Sequence, residues 1–135
     1  MKLITKEIER RLLENGRRSD EDHRPVVKFF NPCGAATWLI TQMDPDEPDI
    51  LFGLADLGLG FPELGTVRLC ELESVKGRLG LGIERDLYFE AHYPLSVYAE
   101  AARLAGAIVT AMRLLDAAAL RLGHPLHRSN HGDAP

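Results

Sequence analysis

Glu84, Asp86, Tyr88 and Glu90 stand two apart in the run IERDLYFEA. On a regular strand such residues share one face, about 6.6 to 7 Å from one another. Three carboxylates and a phenol on one surface could hold Mg²⁺ or act as acid and base, provided neighbouring strands supplied more oxygens. Without that help the same ladder is a solvated face. Glu84, Asp86 and Glu90 are therefore read as a candidate acidic surface, with no catalytic residue, metal ligand or cofactor assigned. Arg85 alternates onto the apolar side with Ile83, Leu87 and Phe89, where a guanidinium must be paired. An ion pair with Glu71 or Glu73 is expected, fixing a short helix against this strand.

Other residues offer less chemistry. Cys33 lies in an exposed turn with no sequence-evident base, and a nucleophile without one is weak evidence for catalysis. Asp44 to Asp49, DPDEPD, lacks the central glycine and distant bidentate Glu of a calcium loop. The glycines from Gly58 to Gly65 fit neither a dinucleotide fingerprint nor a phosphate loop, and are read as positive-φ turn positions. His124, His127 and His131 follow Leu122 around Pro125, which breaks any helix that would orient them for zinc. Arg10, Arg11, Arg17 and Arg18 form a basic surface, read either as a small-anion or nucleic-acid contact or as a solvated face balanced by Glu7, Glu9 and Glu14.

The elements that must position these residues are legible from periodicity. Thr5 caps a helix through Ile8 and Leu12 that stops at Asn15-Gly16. Val26 to Phe30 and Ala36 to Met43 flank Asn31-Pro32-Cys33-Gly34, whose residues suit a type I turn. In the second of these strands Trp38 and Ile40 are placed on one face and Leu39 and Met43 on the other, which makes it central. Ile50 to Leu57 is the third strand, with Gly53 marking a bulge or a close approach. Val67 and Leu69 alternate with Thr66 and Arg68 in the fourth. Leu72 and Val75 then carry a helix of one to two turns, after which Leu79 and Leu81 are expected to plug the core. Ser96 is expected to cap one long helix running to about Leu122. Such a helix runs about 40 Å, too long for one small sheet to cover. Leu104, Ile108, Met112 and Leu115 are accordingly expected to meet a protein partner or a second copy, the alternative being a fold-back over the N-terminal helix.

The chain has 135 residues and a net charge of −4, the commonest size for one domain. Residues 1–24 hold seven Lys/Arg against six Asp/Glu, 25–91 five against eleven, and 92–135 four against three. The sheet region is thus net −6, which disfavours a broad nucleic-acid face on the strands. No apolar run approaches the roughly 20 residues that span a bilayer, so a cytoplasmic protein without membrane contact is expected, with Cys33 and Cys70 as thiols.

PELG at Pro62 to Gly65, the LxELESVKGRLGLGIERDLYFEA run after it, and the earlier PVVKFFNP and ATWLITQMDPDEPDILFGLADLGLGF together resemble one family. It is the uncharacterised bacterial domain of unknown function 2958, found in small proteins often encoded on plasmids and integrative elements. The resemblance covers about Met1 to Ala105. It implies a bacterial cytoplasm and a link to mobile DNA, and no activity. Members of that family place Ser where this chain has Cys70, which would make a capping box with the carboxylate three residues on. Cysteine in that role should weaken the helix start by roughly 0.5 to 1 kcal/mol.

The fold expected is α+β: an antiparallel meander of about five strands, with an N-terminal helix, a short inserted helix and a long C-terminal helix, the terminal helices on one face. Residues 1–122 form a single domain and 123–135 a flexible tail. The function expected is a non-enzymatic binding or adaptor protein of bacterial mobile elements. The alternatives are a small metal-dependent hydrolase on the acidic strand face or a nucleic-acid accessory protein.

Overall fold

The computed structural model describes residues 2–126. Apolar residues recur on both faces of one segment, Thr37–Met43, and such a segment has to lie inside a sheet covered from both sides. It is the middle strand of five. In chain order the elements are α1 (Lys6–Gly16), β1 (Val27–Phe30), β2 (Thr37–Met43), β3 (Ile50–Asp56), β4 (Glu63–Arg68), α2 (Leu69–Ser74), a 3₁₀ turn (Arg78–Gly80), β5 (Glu84–Arg85), α3 (Leu95–Ala105) and α4 (Met112–Arg121). The sheet order is β4-β3-β2-β1-β5, antiparallel throughout. The fold is α+β, as expected.

The first hairpin closes as its residues dictate. Gly34 N–H donates to Asn31 O (3.2 Å) and Cys33 N–H to Asn31 Oδ1 (2.9 Å), which sets Val27 opposite Ile40 and Phe30 opposite Thr37. Between β2 and β3 the register slips at Thr41. The extra residue reverses the alternation, so Met43 joins Trp38 and Ile40 on one face instead of facing Leu39. Thr41 is buried, and its hydroxyl donates to Phe52 O (3.3 Å) while its carbonyl accepts from Asn15 Nδ2 (2.9 Å). Gly53 is required beside this bulge: a Cβ there would lie 1.9 Å from Leu39 O.

The helices cover both faces, not one. Leu3, Ile4 and Leu12 from the N-terminus and Leu72 of α2 pack on Phe29, Trp38, Ile40 and Leu51. Val97, Tyr98 and Ala101 of α3 and Leu115, Ala118 and Ala119 of α4 pack on Leu39 and Leu54 from the other side. A one-sided arrangement would leave one half of β2 in water.

The single long C-terminal helix is in fact two. Gly106 takes φ +77°, the left-handed cap that commonly ends a helix, and Ile108, Val109 and Thr110 carry the β-branched side chains that helices tolerate least. The chain turns there, and α4 folds back on α3. Leu115, expected on a partner, is fully buried within the chain's own second core. Ile108 and Met112 pack against the same core, while Leu104 is 52% exposed.

Thr5 caps α1, its hydroxyl accepting from Ile8 N–H (3.2 Å). Neither Cys70 nor Ser96 is a cap. The N-cap positions of α2 and α3 are Arg68 and Pro94, neither of which supplies a side-chain bond. Both helices are capped from a distance instead. Asp49 accepts Cys70 N–H through Oδ1 (2.9 Å) and Cys70 Sγ–H through Oδ2 (3.0 Å). Asp22 accepts Ser96 N–H through Oδ1 (3.1 Å) and its hydroxyl through Oδ2 (2.5 Å). The two sites repeat one device: the second residue after the N-cap offers a backbone and a side-chain donor to both oxygens of a remote aspartate. A carboxylate at this end also meets the favourable end of the helix dipole.

Candidate binding surface

β4 is the outermost strand, so one of its edges meets no other strand of the sheet. It pairs inward with β3 from Ile50↔Arg68 to Ala55↔Glu63. Every residue of Glu63–Arg68 except Val67 is exposed. In the hairpin loop leading into it Gly58 and Gly60 take the expected positive φ, +80° and +89°, whereas Gly65 is a residue of the strand itself and does not. It also carries large apolar side chains into water: Leu57 is 59% exposed, Leu59 75%, Phe61 80%, and Leu64 on the strand itself 51%. Together with Ala55 and Glu63, Leu57, Leu59 and Phe61 line a mostly apolar hollow of about 300 Å³. The unpaired backbone groups of this edge thus lie beside exposed aromatic and aliphatic side chains.

The acidic ladder is not assembled as one strand face. β5 stops at Arg85. Asp86 Oδ1 accepts Tyr88 N–H (2.9 Å), closing a turn, and Asp86 Oδ2 lies 3.5 Å from Lys28 Nζ. Tyr88 projects into solvent at 94% exposure. Glu84 lies elsewhere, on a cleft of about 570 Å³ shared with Glu73, Leu3, Leu72, Leu81 and Ile83. Among the described residues no three His, Cys, Asp or Glu side chains are grouped so as to hold a metal ion. Leu79 and Leu81 are 92% and 45% exposed and do not plug the core.

Arg85 does lie on the apolar side, opposite Phe29. Its Nη1 donates to the carbonyl oxygens of Lys2 (2.7 Å) and Leu3 (3.0 Å). These bonds hold the N-terminal segment to β5. Glu73 faces the same cleft as Glu84, and Glu71 lines a separate shallow one with Arg68, Ile50 and Thr66.

Neither cysteine forms a disulfide, and both are exposed. The hydrogen bond to Asp49 pushes the Cys70 thiol above its usual range and holds the Asp49 carboxyl below its own. That makes Cys70 a poor nucleophile at neutral pH. His124 stacks edge-on against Tyr93, ring centres 5.8 Å apart, and Tyr93 Oη donates to Asp116 Oδ1 (2.5 Å), tying the segment before α3 to α4. His127 and His131 lie outside the described residues.

The family model described as protein of unknown function DUF2958 matches residues 3–109. The chain belongs to the DUF2958 family. The match takes in all five strands and ends at Val109, before α4, although Leu115, Ala118 and Ala119 complete the second core. No curated protein and no solved structure matches this DUF2958 chain. Among its described residues, no helix is long and apolar enough to cross a membrane.

Periodicity points toward the C-terminal helix as the partner surface and gives no sign of the β4 edge. The signal for that edge is composition: GLGFPELG places Leu59, Phe61 and Leu64 in a loop and strand too glycine-rich to bury them.

Proposed function

We propose that this DUF2958 protein is a non-enzymatic binding module that takes up an extended segment of a protein partner along β4. The observation that carries this is the edge itself: six residues, open on one side, and nearly all exposed. Natural edge strands are commonly blunted with lysine, proline or a covering loop, and Glu63–Arg68 contains neither residue. Backbone donors and acceptors on such an edge recognise an extended backbone, and pockets beside it select alternate side chains. The hollow at Leu57, Leu59 and Phe61 would take an apolar one.

The turn that Asp86 closes with Tyr88 N–H just past the end of β5 interrupts the expected acidic strand face, which favours this reading over a metal-dependent hydrolase. On the C-terminal helices, Leu104 alone among Leu104, Ile108, Met112 and Leu115 offers a strongly exposed apolar contact, so a partner there would add to β4 and not replace it. The family description names no function, so the setting proposed with this role, an adaptor of bacterial mobile elements in the cytoplasm, is an extension of the family resemblance, and the two thiols fit it.

Selection of displayed random peptides on the wild-type protein and on Leu64→Lys tests this. Leu64 is half exposed, so the variant should fold with at most about 0.5 kcal/mol of lost stability. Peptides with apolar residues at alternate positions should be enriched on the wild type and lost on the variant. Equal enrichment on both would count against the β4 edge.

A further inference from the structure

We propose that the cleft between α1 and the loop entering β1 binds a small phosphate-bearing anion through Arg11 and Arg24. The cleft holds about 350 Å³ and is lined by Arg10, Arg11, Arg18, Arg24 and His23 against a single carboxylate, Glu14. Arg10 is already engaged, its Nη2 2.7 Å from Glu7 Oε1 and its Nη1 3.2 Å from Glu14 Oε2. Arg18 Nη1 lies 3.6 Å from Glu21 Oε1. Among the described residues no carboxylate oxygen lies within 4.0 Å of the Arg11 or Arg24 guanidinium, Arg11 acting on Glu7 only at longer range, so the cleft keeps two guanidiniums without a bridging carboxylate.

The loop that carries Arg24 is held in place. Asp22 is fixed to Ser96 by two hydrogen bonds, Leu95 N–H donates to His23 O (2.8 Å), and His23 Nε2 lies 2.7 Å from Arg18 O. A carbonyl only accepts, so His23 carries its proton on Nε2. On the opposite wall, Asn15 anchors the end of α1 to Thr41 O (2.9 Å). The two walls are thus positioned before a ligand arrives, which lowers the cost of binding. Guanidinium forks match the oxygens of a phosphate in pairs. At about 30 Å³ per water the cleft displaces on the order of ten waters, room for a phosphate on a small organic body. An extended polyanion fits less well, because residues 25–91 carry five Lys/Arg against eleven Asp/Glu.

The test is titration of the full chain with inorganic phosphate at constant ionic strength in chloride, followed by backbone amide shifts. Saturable shifts at Arg11, Asn15 and Arg24 are expected. Arg11→Gln/Arg24→Gln should weaken the apparent affinity at least about tenfold, about 1.4 kcal/mol. Arg17→Gln/Arg113→Gln removes the same charge from positions outside the cleft and should leave the affinity unchanged. Shifts no larger than chloride produces, or equal loss in both double variants, would overturn the site. A DNA duplex that competes with phosphate and binds more tightly would make the ligand nucleic acid and overturn the small-anion assignment.

Discussion

Asp56 and Ile108 are joined by a hydrogen bond from the Ile108 N–H to Asp56 Oδ2 (2.9 Å), while Asp56 Oδ1 takes the N–H of Gly58 (2.8 Å). One carboxylate at the end of β3, only 4% exposed, thus ties down both the loop that feeds the β4 edge and the break between α3 and α4. The break turns what would be a protruding rod into a helical hairpin over the second core. The same residue therefore fixes both the loop before β4 and the turn between α3 and α4.

Asp56→Ala leaves two backbone donors without their acceptor. At about 1–3 kcal/mol per unsatisfied buried group, and with Gly58 able to recruit water, the expected loss is about 2–4 kcal/mol. Urea unfolding with an unchanged slope would read it. A loss below about 1 kcal/mol would show that the carboxylate is incidental.

The remote caps make a paired prediction. Asp22→Ala and Asp49→Ala should each cost about 0.5–2 kcal/mol, as helix caps do, with faster amide exchange confined to the start of α3 and of α2 respectively. Asp49→Asn replaces the carboxylate whose hydrogen bond from Cys70 Sγ–H raises the thiol. It should therefore speed alkylation of Cys70 at neutral pH while Cys33 reacts as in the wild type. An unchanged Cys70 rate would contradict the hydrogen bond as the cause.

Much of this architecture is legible in the amino-acid sequence. Alternation at Val27–Phe30 and from Trp38 to Ile40, the turn residues Asn31 to Gly34, and the Thr5 cap are local signals, and each forms as expected, whereas the bulge at Thr41 moves Met43 to the face opposite the expected one. Local pattern does not show bonds between distant residues. Ser96 finds Asp22 at a separation of 74 residues and Cys70 finds Asp49 at 21, so periodicity assigns both helix starts to the wrong cap. The α3–α4 break is hidden because Leu104, Ile108, Met112 and Leu115 keep helical spacing straight through it, with Gly106 and the β-branched run Ile108 to Thr110 as the dissenting residues. β5 reads too long because alternation continues past Arg85, although Asp86 already folds onto Tyr88 N–H. The candidate surface escapes for a related reason: an edge is a property of sheet order, which the β4 sequence does not contain.

Glu100 gives the pH dependence. Hydrogen bonds from Arg103 and from Arg121 across the helical hairpin hold its carboxyl at about 2, below the usual 4.5. A depressed folded-state pKa means that the unfolded chain takes up the proton more readily. The contribution to stability is therefore complete above pH 4.5 and is lost as the pH falls from there toward 2. Glu100→Gln should flatten the fall in melting temperature across that window and leave it unchanged near neutrality apart from a constant offset. A parallel fall in both proteins would assign the acid sensitivity to other groups.

The open β4 edge is tested most directly by residue-resolved amide exchange of the full chain, alone and with a saturating peptide selected on it. An added strand must protect the outward-facing amides of Glu63–Arg68, so slowed exchange is expected there, together with reduced exposure at Leu59 and Phe61. Protection falling on α3 and α4, with β4 exchanging as in the free protein, would refute β4 as the docking edge.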